Sequence, residues 1–260
     1  MLEAIDVSYR AGGRELVHGL SARFEPGQLH LIMGPNGAGK STFIKLLSRL
    51  LRPSGGRVVY AGRDAAEWAD SELATRRAVL SQAMELAFPL SVHEVVKMGR
   101  YPHFGGRPSR HDEAICQEVM DFFDVAVLAD RSYATLSGGE QQRVNFARVL
   151  AQIWEPMPQG HRYLFLDEPL TFLDIRHQLD FMKKVRAFGR APDVVTVGVV
   201  HDLGLAARFA DRLILMRDGG IAAQGPAETV LTRDLVRAVF DVEPSFVPAS
   251  DGRGVHLVFD

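Results

Sequence analysis

One glycine-rich stretch constrains the fold of this chain more than any other part of its sequence. It matches the pattern G-x-x-x-x-G-K-[ST] and consists of Gly34, Pro35, Asn36, Gly37, Ala38, Gly39, Lys40, Ser41 and Thr42. The apolar segment Leu29–Met33 before it predicts a strand, and leucines at helical spacing after it, as far as Leu51, predict a helix. A loop that opens a helix in this way points backbone N–H groups at an anion. The stretch therefore predicts a nucleoside triphosphate site, in which Lys40 reaches the β- and γ-phosphates and the Ser41 hydroxyl binds Mg²⁺.

The bulk composition excludes several classes of protein. A chain of 260 residues can bury a large core. Its 30 basic and 32 acidic residues give a net charge of −2, so we expect no nucleic-acid partner. The single cysteine, Cys116, excludes an internal disulfide and a cysteine-based zinc site, and we expect it to pack in a helix. We find no signal-peptide pattern and no apolar run long enough to span a bilayer. We therefore expect a soluble chain, for which any membrane role needs a partner.

Short strands and helices alternate along most of the chain. Turn signals at 11–14 and 218–220 predict hairpins, and Ser91 followed three residues later by Glu94 predicts a capping box at a helix start. Between about 83 and 160 the pattern is helical, with one helix expected from near Glu140 through Trp154. The sequence therefore predicts an α/β nucleotide-binding core, residues 1–82 and 161–260, with residues 83–160 inserted as a helical subdomain.

Two carboxylates follow the apolar segment 163–166, which predicts a strand. Acidic residues at strand ends are common on protein surfaces, so this pattern alone leaves a surface role open. Together with the glycine-rich stretch it favours catalysis. Asp167 can hold Mg²⁺, and Glu168 can orient or deprotonate a water that attacks the γ-phosphate.

The segment 136–140, which reads Leu-Ser-Gly-Gly-Glu, resembles the LSGGQ signature of the ABC transporter ATPase superfamily. From its residues alone, it is a glycine turn in which Ser137 caps the next helix and bare N–H groups face an anion. The resemblance extends over nearly the whole chain, and its motifs stand in the family's order. It implies one ABC ATPase domain, with a RecA-like P-loop NTPase core, an antiparallel β subdomain and an inserted α-helical subdomain that carries the signature.

The resemblance also implies roles for residues that have ordinary structural explanations when taken singly. Tyr9 matches the aromatic residue that stacks on adenine, and Gln82 matches the glutamine that touches Mg²⁺ and relays to the permease. The two strand-end carboxylates match the Mg²⁺-associated aspartate and the catalytic glutamate. Asp174 matches the loop that crosses the dimer interface, and His201 matches the histidine that senses the γ-phosphate.

In this family two ATPase chains pair head to tail, and each ATP lies between the glycine-rich stretch of one chain and the signature of the other. The resemblance therefore implies ATP and Mg²⁺ as cofactors and a homodimer. The residues expected to act on the partner's nucleotide are Ser137, Gly138, Gly139 and Glu140. It also implies a transmembrane permease dimer, a periplasmic substrate-binding protein that acts indirectly, and a peripheral place on the cytoplasmic face of the inner membrane.

Three short segments narrow the resemblance within the family. GRYPH at 99–103 and LDIRHQ at 173–178 resemble the ATPases of iron-chelate, haem and cobalamin importers. The Trp/Pro-rich insertion at 154–162 favours haem importers, with haem as cargo and not bound directly, since the chain has no C-x-x-C-H motif. Siderophore or cobalamin import stays open. A non-transport ABC ATPase is less favoured, because such proteins usually carry two cassettes, a coiled coil or basic extensions.

A third class, the Rossmann dehydrogenases, is excluded because the first strand–helix turn lacks G-x-G-x-x-G.

For one basic stretch two interpretations remain open: it is either a solvated loop or a surface that contacts the permease. It contains Arg100, His103, Arg107, Arg110 and His111.

Overall fold

The computed structural model describes residues 1–80, 89–157, 159–171, 173–248 and 255–259. Its strands are β1 (Leu2–Ala11), β2 (Arg14–Phe24), β3 (Leu29–Met33), β4 (Gly55–Tyr60), β5 (Arg63–Asp64), β6 (Arg77–Leu80), β7 (Arg162–Asp167), β8 (Val194–Val199), β9 (Arg212–Arg217), β10 (Gly220–Pro226), β11 (Pro244–Pro248) and β12 (Val255–Phe259). Its α-helices are α1 (Lys40–Leu47), α2 (Asp70–Ala74), α3 (Val92–Met98), α4 (Arg110–Phe122), α5 (Gly138–Ala151), α6 (Ile175–Gly189), α7 (Leu203–Phe209), α8 (Ala227–Val230) and α9 (Arg233–Phe240). Within these ranges no helix has both the length and the apolarity needed to cross a bilayer.

A six-stranded sheet in the order β10-β9-β3-β8-β7-β6 forms the centre of the core. Neighbouring strands from β9 to β6 run parallel, and β10 pairs antiparallel with β9. Every residue of β3, β7 and β8 is buried, which is typical of parallel strands covered on both faces. The carboxyl ends of these three strands therefore meet at one edge of the sheet, and the glycine-rich loop, Asp167 and His201 all lie at that edge.

The central strands contribute to two separate cores, one on each face of the sheet. Leu31 and Leu166 pack with side chains of α3 to α7, whereas Ile32 and Phe165 pack with α1 and a second, antiparallel sheet. That second sheet has the order β2-β1-β4-β5, and its first hairpin turns at residues 12–13, as the sequence predicted. The predicted fold class, an α/β P-loop core with an antiparallel β subdomain and inserted helices, is confirmed.

Three helices, α3, α4 and α5, lie between β6 and β7 and pack on one another. Each begins with a capping box, in which a serine hydroxyl and the acid three residues later bond each other's backbone N–H groups. The pairs are Ser91 with Glu94, Ser109 with Asp112, and Ser137 with Glu140. Cys116 is fully buried on α4, and burial raises its pKa to about 11, so its expected packing role is confirmed.

The helix after the glycine-rich loop is shorter than the leucine spacing predicts. α1 ends at Leu47, and Arg49 adopts a left-handed φ of 57°. The Arg49 guanidinium donates to the carbonyl oxygens of Ala65 and Trp68, and Leu50 is 51 % exposed. α1 therefore ends in a left-handed turn at Arg49, in which the Leu50 N–H donates to the Lys45 carbonyl at 2.8 Å, and the leucine pattern gave no sign of it.

α5 also ends early, at Ala151, so the prediction that Trp154 continues its apolar face was wrong. The Trp154 ring instead stacks on Phe188 of α6, with centroids 5.9 Å apart and planes 12° apart. Its Nε1 donates to a carboxylate oxygen of Glu118 on α4 at 2.7 Å. The apolar Trp154 side chain therefore packs between α4 and α6 rather than extending the apolar face of α5.

Arg100, which the sequence grouped with a basic surface stretch, has only 2 % of its side chain exposed. Its guanidinium donates to Asp112 at 3.1 Å, to the Ala151 carbonyl at 2.8 Å and to Glu155 at 3.2 Å. Burial raises the pKa of Asp112, but hydrogen bonds from Ser109 and Arg100 outweigh burial and lower that pKa to about 2. Arg100 therefore joins the end of α3 to α4 and α5, and both surface interpretations are wrong for this residue.

We predict that Arg100→Met lowers the free energy of unfolding by about 3–5 kcal/mol, because it leaves the Asp112 carboxylate buried without its partner. Urea unfolding followed by circular dichroism measures the change. Arg107→Met, at an exposed position of the same stretch, is the matched control and should change stability by less than about 0.5 kcal/mol. Similar stabilities for the two variants would contradict a structural role of the Arg100 network.

Candidate functional site

The glycine-rich loop connects β3 to α1 and surrounds a cavity of about 260 Å³. Residues 36–42, Leu16 and Glu168 line this cavity. Gly39 has a φ of 92°, and a Cβ there would lie 2.7 Å from the Leu16 carbonyl oxygen. Gly34 is still more restricted, because a Cβ would lie 2.1 Å from the Met216 carbonyl oxygen. Glycine is therefore required at both positions by backbone conformation and by close approach.

The Lys40 ammonium is held inside the loop, and the residue is 5 % exposed. Its Nζ donates to the carbonyl oxygens of Gly34 at 2.8 Å and Pro35 at 2.9 Å. Burial lowers the Lys40 pKa, while the negative charges of Glu168 and Asp167 act in the opposite direction. A positive charge is thus placed at the cavity, near both strand-end carboxylates.

Ser41 and Asp167 form a pair of oxygen ligands suited to a divalent cation. Asp167 ends β7 and is 8 % exposed, and the Ser41 side chain is near enough to influence its carboxylate. Burial raises its pKa, and Ser41 opposes that shift. Its Oδ1 is buried and has no hydrogen-bond partner in the described part of the chain. A buried acceptor without a donor, next to a hydroxyl, fits the Mg²⁺ that the sequence predicts, because this ion prefers oxygen ligands.

The same region lacks an all-protein metal cage. No group of three or more His, Cys, Asp or Glu side chains comes together in the described ranges.

Glu168 lies at the point where the glycine loop, β7 and β8 meet. Its carboxylate Oε1 is 2.9 Å from the Nε2 of His201, and it lines both the loop cavity and a second cavity of about 230 Å³ beside His201. Its backbone has a φ of 52°, a left-handed conformation that costs a non-glycine residue about 1–3 kcal/mol. Such strain is retained only where surrounding contacts hold it, which makes this residue a strong candidate for function.

On the opposite side of the loop the structure shows a residue that sequence reasoning missed. Leu16 lines the cavity and is 39 % exposed, although its neighbour Val17 is fully buried. Tyr9, the predicted adenine-stacking residue, pairs with Val17 across β1 and β2 and packs half-buried against the core. No local signal marked Leu16, because its even spacing from Leu20, Ala22 and Phe24 predicts a buried position, and the shift in register between β1 and β2 moves it to the exposed face.

The signature and Asp174 lie elsewhere, since none of them lines the loop cavity. Ser137 caps α5, where its hydroxyl donates to Glu140 at 2.7 Å, and these bonds lower the Glu140 pKa. Gly138 and Gly139 form the first turn of α5, whose backbone N–H groups lack partners within the helix. Asp174 caps α6 and pairs with His177 Nδ1 at 2.9 Å. Gln82, the remaining predicted site residue, lies outside the described residues.

A glycine loop between a buried parallel strand and a helix, with a carboxylate ending a second strand at the same edge, defines a P-loop nucleotide-binding protein. The model of the ABC transporter family matches residues 17–171. The chain belongs to the ABC transporter family, and it is an ATPase that binds ATP and couples its hydrolysis to transport.

Curated relatives match nearly the whole chain. Six of them, at 41–46 % identity, carry the name hemin import ATP-binding protein HmuV. The relative from Gloeobacter violaceus is 46 % identical over 244 residues, which cover 94 % of this chain and 88 % of the relative. The relative from Rhizobium meliloti is 44 % identical over 254 residues, which cover 96 % of each chain.

Solved structures share the fold. A metal-chelate type ABC transporter in an inward-facing conformation matches with a TM-score of 0.83 at 22 % identity, over 100 % of this chain and 96 % of the other. A dimeric bacterial ABC transporter cassette matches with a TM-score of 0.75 at 24 % identity, over 87 % of this chain and 99 % of the other. At these identities the likeness supports the fold alone.

Proposed function

We propose that this chain is the ATP-hydrolysing subunit of a haem importer. The proposed ATPase site is supported by one observation: five side chains with complementary chemistry lie together at one edge of the parallel sheet. They are Lys40, Ser41, Asp167, Glu168 and His201. The common name of the curated relatives supports haem as cargo. The segments at 99–103 and 173–178 are also compatible with a ferric siderophore or cobalamin, so import of those cargoes by the same motor is the second candidate.

In the proposed site, the backbone N–H groups of residues 34–42 bind the phosphates, and the Lys40 ammonium contacts the β- and γ-phosphates. Ser41 and Asp167 hold Mg²⁺, with Gln82 as a further ligand by family resemblance. Bound there, Mg²⁺ neutralises charge on the phosphates. Tyr9 stacks on the adenine. The exposed Leu16 adds an apolar wall to the same cavity.

Glu168 is the proposed general base. Its carboxylate orients a water and accepts its proton as the water oxygen attacks the γ-phosphorus, whose bond to the bridging oxygen of the β-phosphate breaks, so that ADP and phosphate are released. His201, 2.9 Å from that carboxylate, holds Glu168 in position and senses the γ-phosphate. Both residues follow buried strands, so the sheet itself supplies the rigidity that the alignment of base and phosphate requires.

We propose further that two copies of the chain complete each other's sites. Ser137 and Gly138 are exposed and lie outside the cavity that contains Lys40. The first-turn N–H groups of α5 can therefore bind the γ-phosphate held by a partner's loop. Asp174, exposed at the start of α6, is the proposed contact across the interface.

The remaining partners follow from the transport function. We propose a transmembrane permease dimer, a periplasmic substrate-binding protein that acts indirectly, and a peripheral position on the cytoplasmic face of the inner membrane. Haem is proposed as cargo of that complex and not as a ligand of this chain. No nucleic-acid partner is proposed, because the net charge is −2.

Glu168→Gln should bind ATP normally but hydrolyse it about 10²-fold or more slowly, because an amide cannot accept the proton. Equilibrium binding of a fluorescent ATP analogue and phosphate release measure the two steps separately. Lys40→Ala is the contrasting variant and should lose nucleotide affinity. Undiminished turnover by Glu168→Gln would show that Glu168 is not the base.

Ser137→Arg should abolish turnover while its monomer still binds ATP, because the added side chain blocks closure of each site that includes the altered signature. Ser109→Arg removes the same kind of cap from α4 and should keep turnover. Mixing Ser137→Arg with Lys40→Ala should restore part of the activity, because one site then combines an intact loop with an intact signature. Full turnover by Ser137→Arg alone, or no recovery on mixing, would contradict sites shared between copies.

Cargo is tested in lipid nanodiscs that contain the chain and its co-purified permease. We expect haem-loaded binding protein to stimulate ATP hydrolysis several-fold over the unloaded binding protein, and siderophore- or cobalamin-loaded protein to leave it at the unloaded level. Stimulation only by the siderophore- or cobalamin-loaded binding protein would instead support the second candidate, in which the same ATPase drives import of that cargo.

A further inference from the structure

The strained backbone of Glu168 is held by hydrogen bonds to the residues around it. Its φ of 52° ends the extended conformation of β7 and directs the side chain toward His201. The Thr171 hydroxyl donates to the Glu168 carbonyl at 3.1 Å, within the same turn. The direction of the carboxylate therefore depends on how the turn over 168–171 is fixed.

One of the bonds to this turn comes from a different part of the fold. Gln142, on α5, donates from its Nε2 to the carbonyl oxygen of Pro169 at 2.9 Å. Pro169 is buried and directly follows Glu168, while Gln142 is half-buried. Loss of the donor would leave a buried acceptor unsatisfied next to the strained residue.

Gln142 also lies close to the signature. It is three residues after Gly139, about 4.5 Å along the helix axis, so both belong to one continuous stretch of α5. Gln178, on α6, also donates to the Leu170 carbonyl of this turn at 3.4 Å and to the Leu173 carbonyl at 3.0 Å, but it belongs to the helix that directly follows the turn. The Gln142 bond thus links the catalytic turn to the helix that begins with Ser137.

We propose that Gln142 is a positioning residue for ATP hydrolysis, which aims Glu168 by holding the Pro169 carbonyl. The proposal rests on the proposed role of Glu168 as general base. It means that α5 has two tasks: its first turn faces the partner's nucleotide, and its second turn fixes the base of its own chain. In this proposal Gln142 acts through the Pro169 carbonyl and Glu168, not on the reacting atoms.

Gln142→Met keeps the length of the side chain and removes the donor, and Gln142→Glu keeps its shape but sets an acceptor against the Pro169 carbonyl. Both variants should lower kcat about tenfold and leave the KM for ATP and the Kd of a fluorescent ATP analogue within twofold of wild type. If Gln142→Met melts below the assay temperature, Gln142→Glu decides the result. A kcat within twofold of wild type, or a rise in KM alone, overturns the proposal.

Gln152, which directly follows the last residue of α5, provides a matched control. It is also half-buried, and its Nε2 donates to the carbonyls of Ala74 at 2.7 Å and Arg77 at 2.9 Å, far along the chain from the catalytic turn. Gln152→Met should lower the Tm at least as much as Gln142→Met while keeping kcat within twofold of wild type. An equal loss of kcat in both variants would mean that docking of α5 in general, and not the Pro169 bond, controls turnover.

A double-mutant cycle separates this proposal from the assignment of Glu168. In single-turnover assays, Gln142→Met should slow Glu168→Gln by less than twofold, since no base is left to position. A further tenfold loss would show that Gln142 acts elsewhere and would overturn the positioning role. Wild-type turnover by Glu168→Gln alone would instead refute the base assignment on which the proposal rests.

Discussion

The parallel pairing of β3, β8 and β7 is the constraint on which the site depends. Their carboxyl ends must fall at one edge, so residues separated by more than a hundred positions in sequence meet there. Because all three strands are buried on both faces, the loop and the two carboxylates cannot shift without disturbing both cores. A buried cation, Lys40, beside Asp167 and Glu168 is tolerated because each charge lies near an opposite one.

The features that the sequence predicted correctly are local. The glycine loop, the turn at 12–13 and the capping box of Ser91 with Glu94 are each contained in a few consecutive residues, so their geometry follows from residue type and spacing. The same holds for the carboxylates that end β7, whose strand is recognisable from its apolar run. The loop and the signature are both short motifs that the sequence shows directly, but their separation within one chain became visible only in three dimensions.

The features that the sequence did not predict depend on partners far along the chain. The Arg49 side chain at the end of α1 bonds Ala65, 16 residues away, and the buried Arg100 bonds Ala151, 51 residues away. A basic residue in a polar stretch is usually solvated, so nothing local distinguishes Arg100 from its exposed neighbours. The Gln142 bond to Pro169 spans 27 residues and could not be predicted from the sequence either. Gln142 is one of several polar residues after the signature, and nothing local distinguishes it from them.

Trp154 touches two elements that belong to different parts of the fold, with its ring on Phe188 of α6 and its Nε1 on Glu118 of α4. Any rotation of the three inserted helices against the sheet must separate the indole from one of these neighbours. The other tryptophan, Trp68, packs beside Tyr60 on the opposite face of the core. Trp154 therefore serves as an intrinsic fluorophore, whose emission should change with any rearrangement between these helices and α6, without an added label.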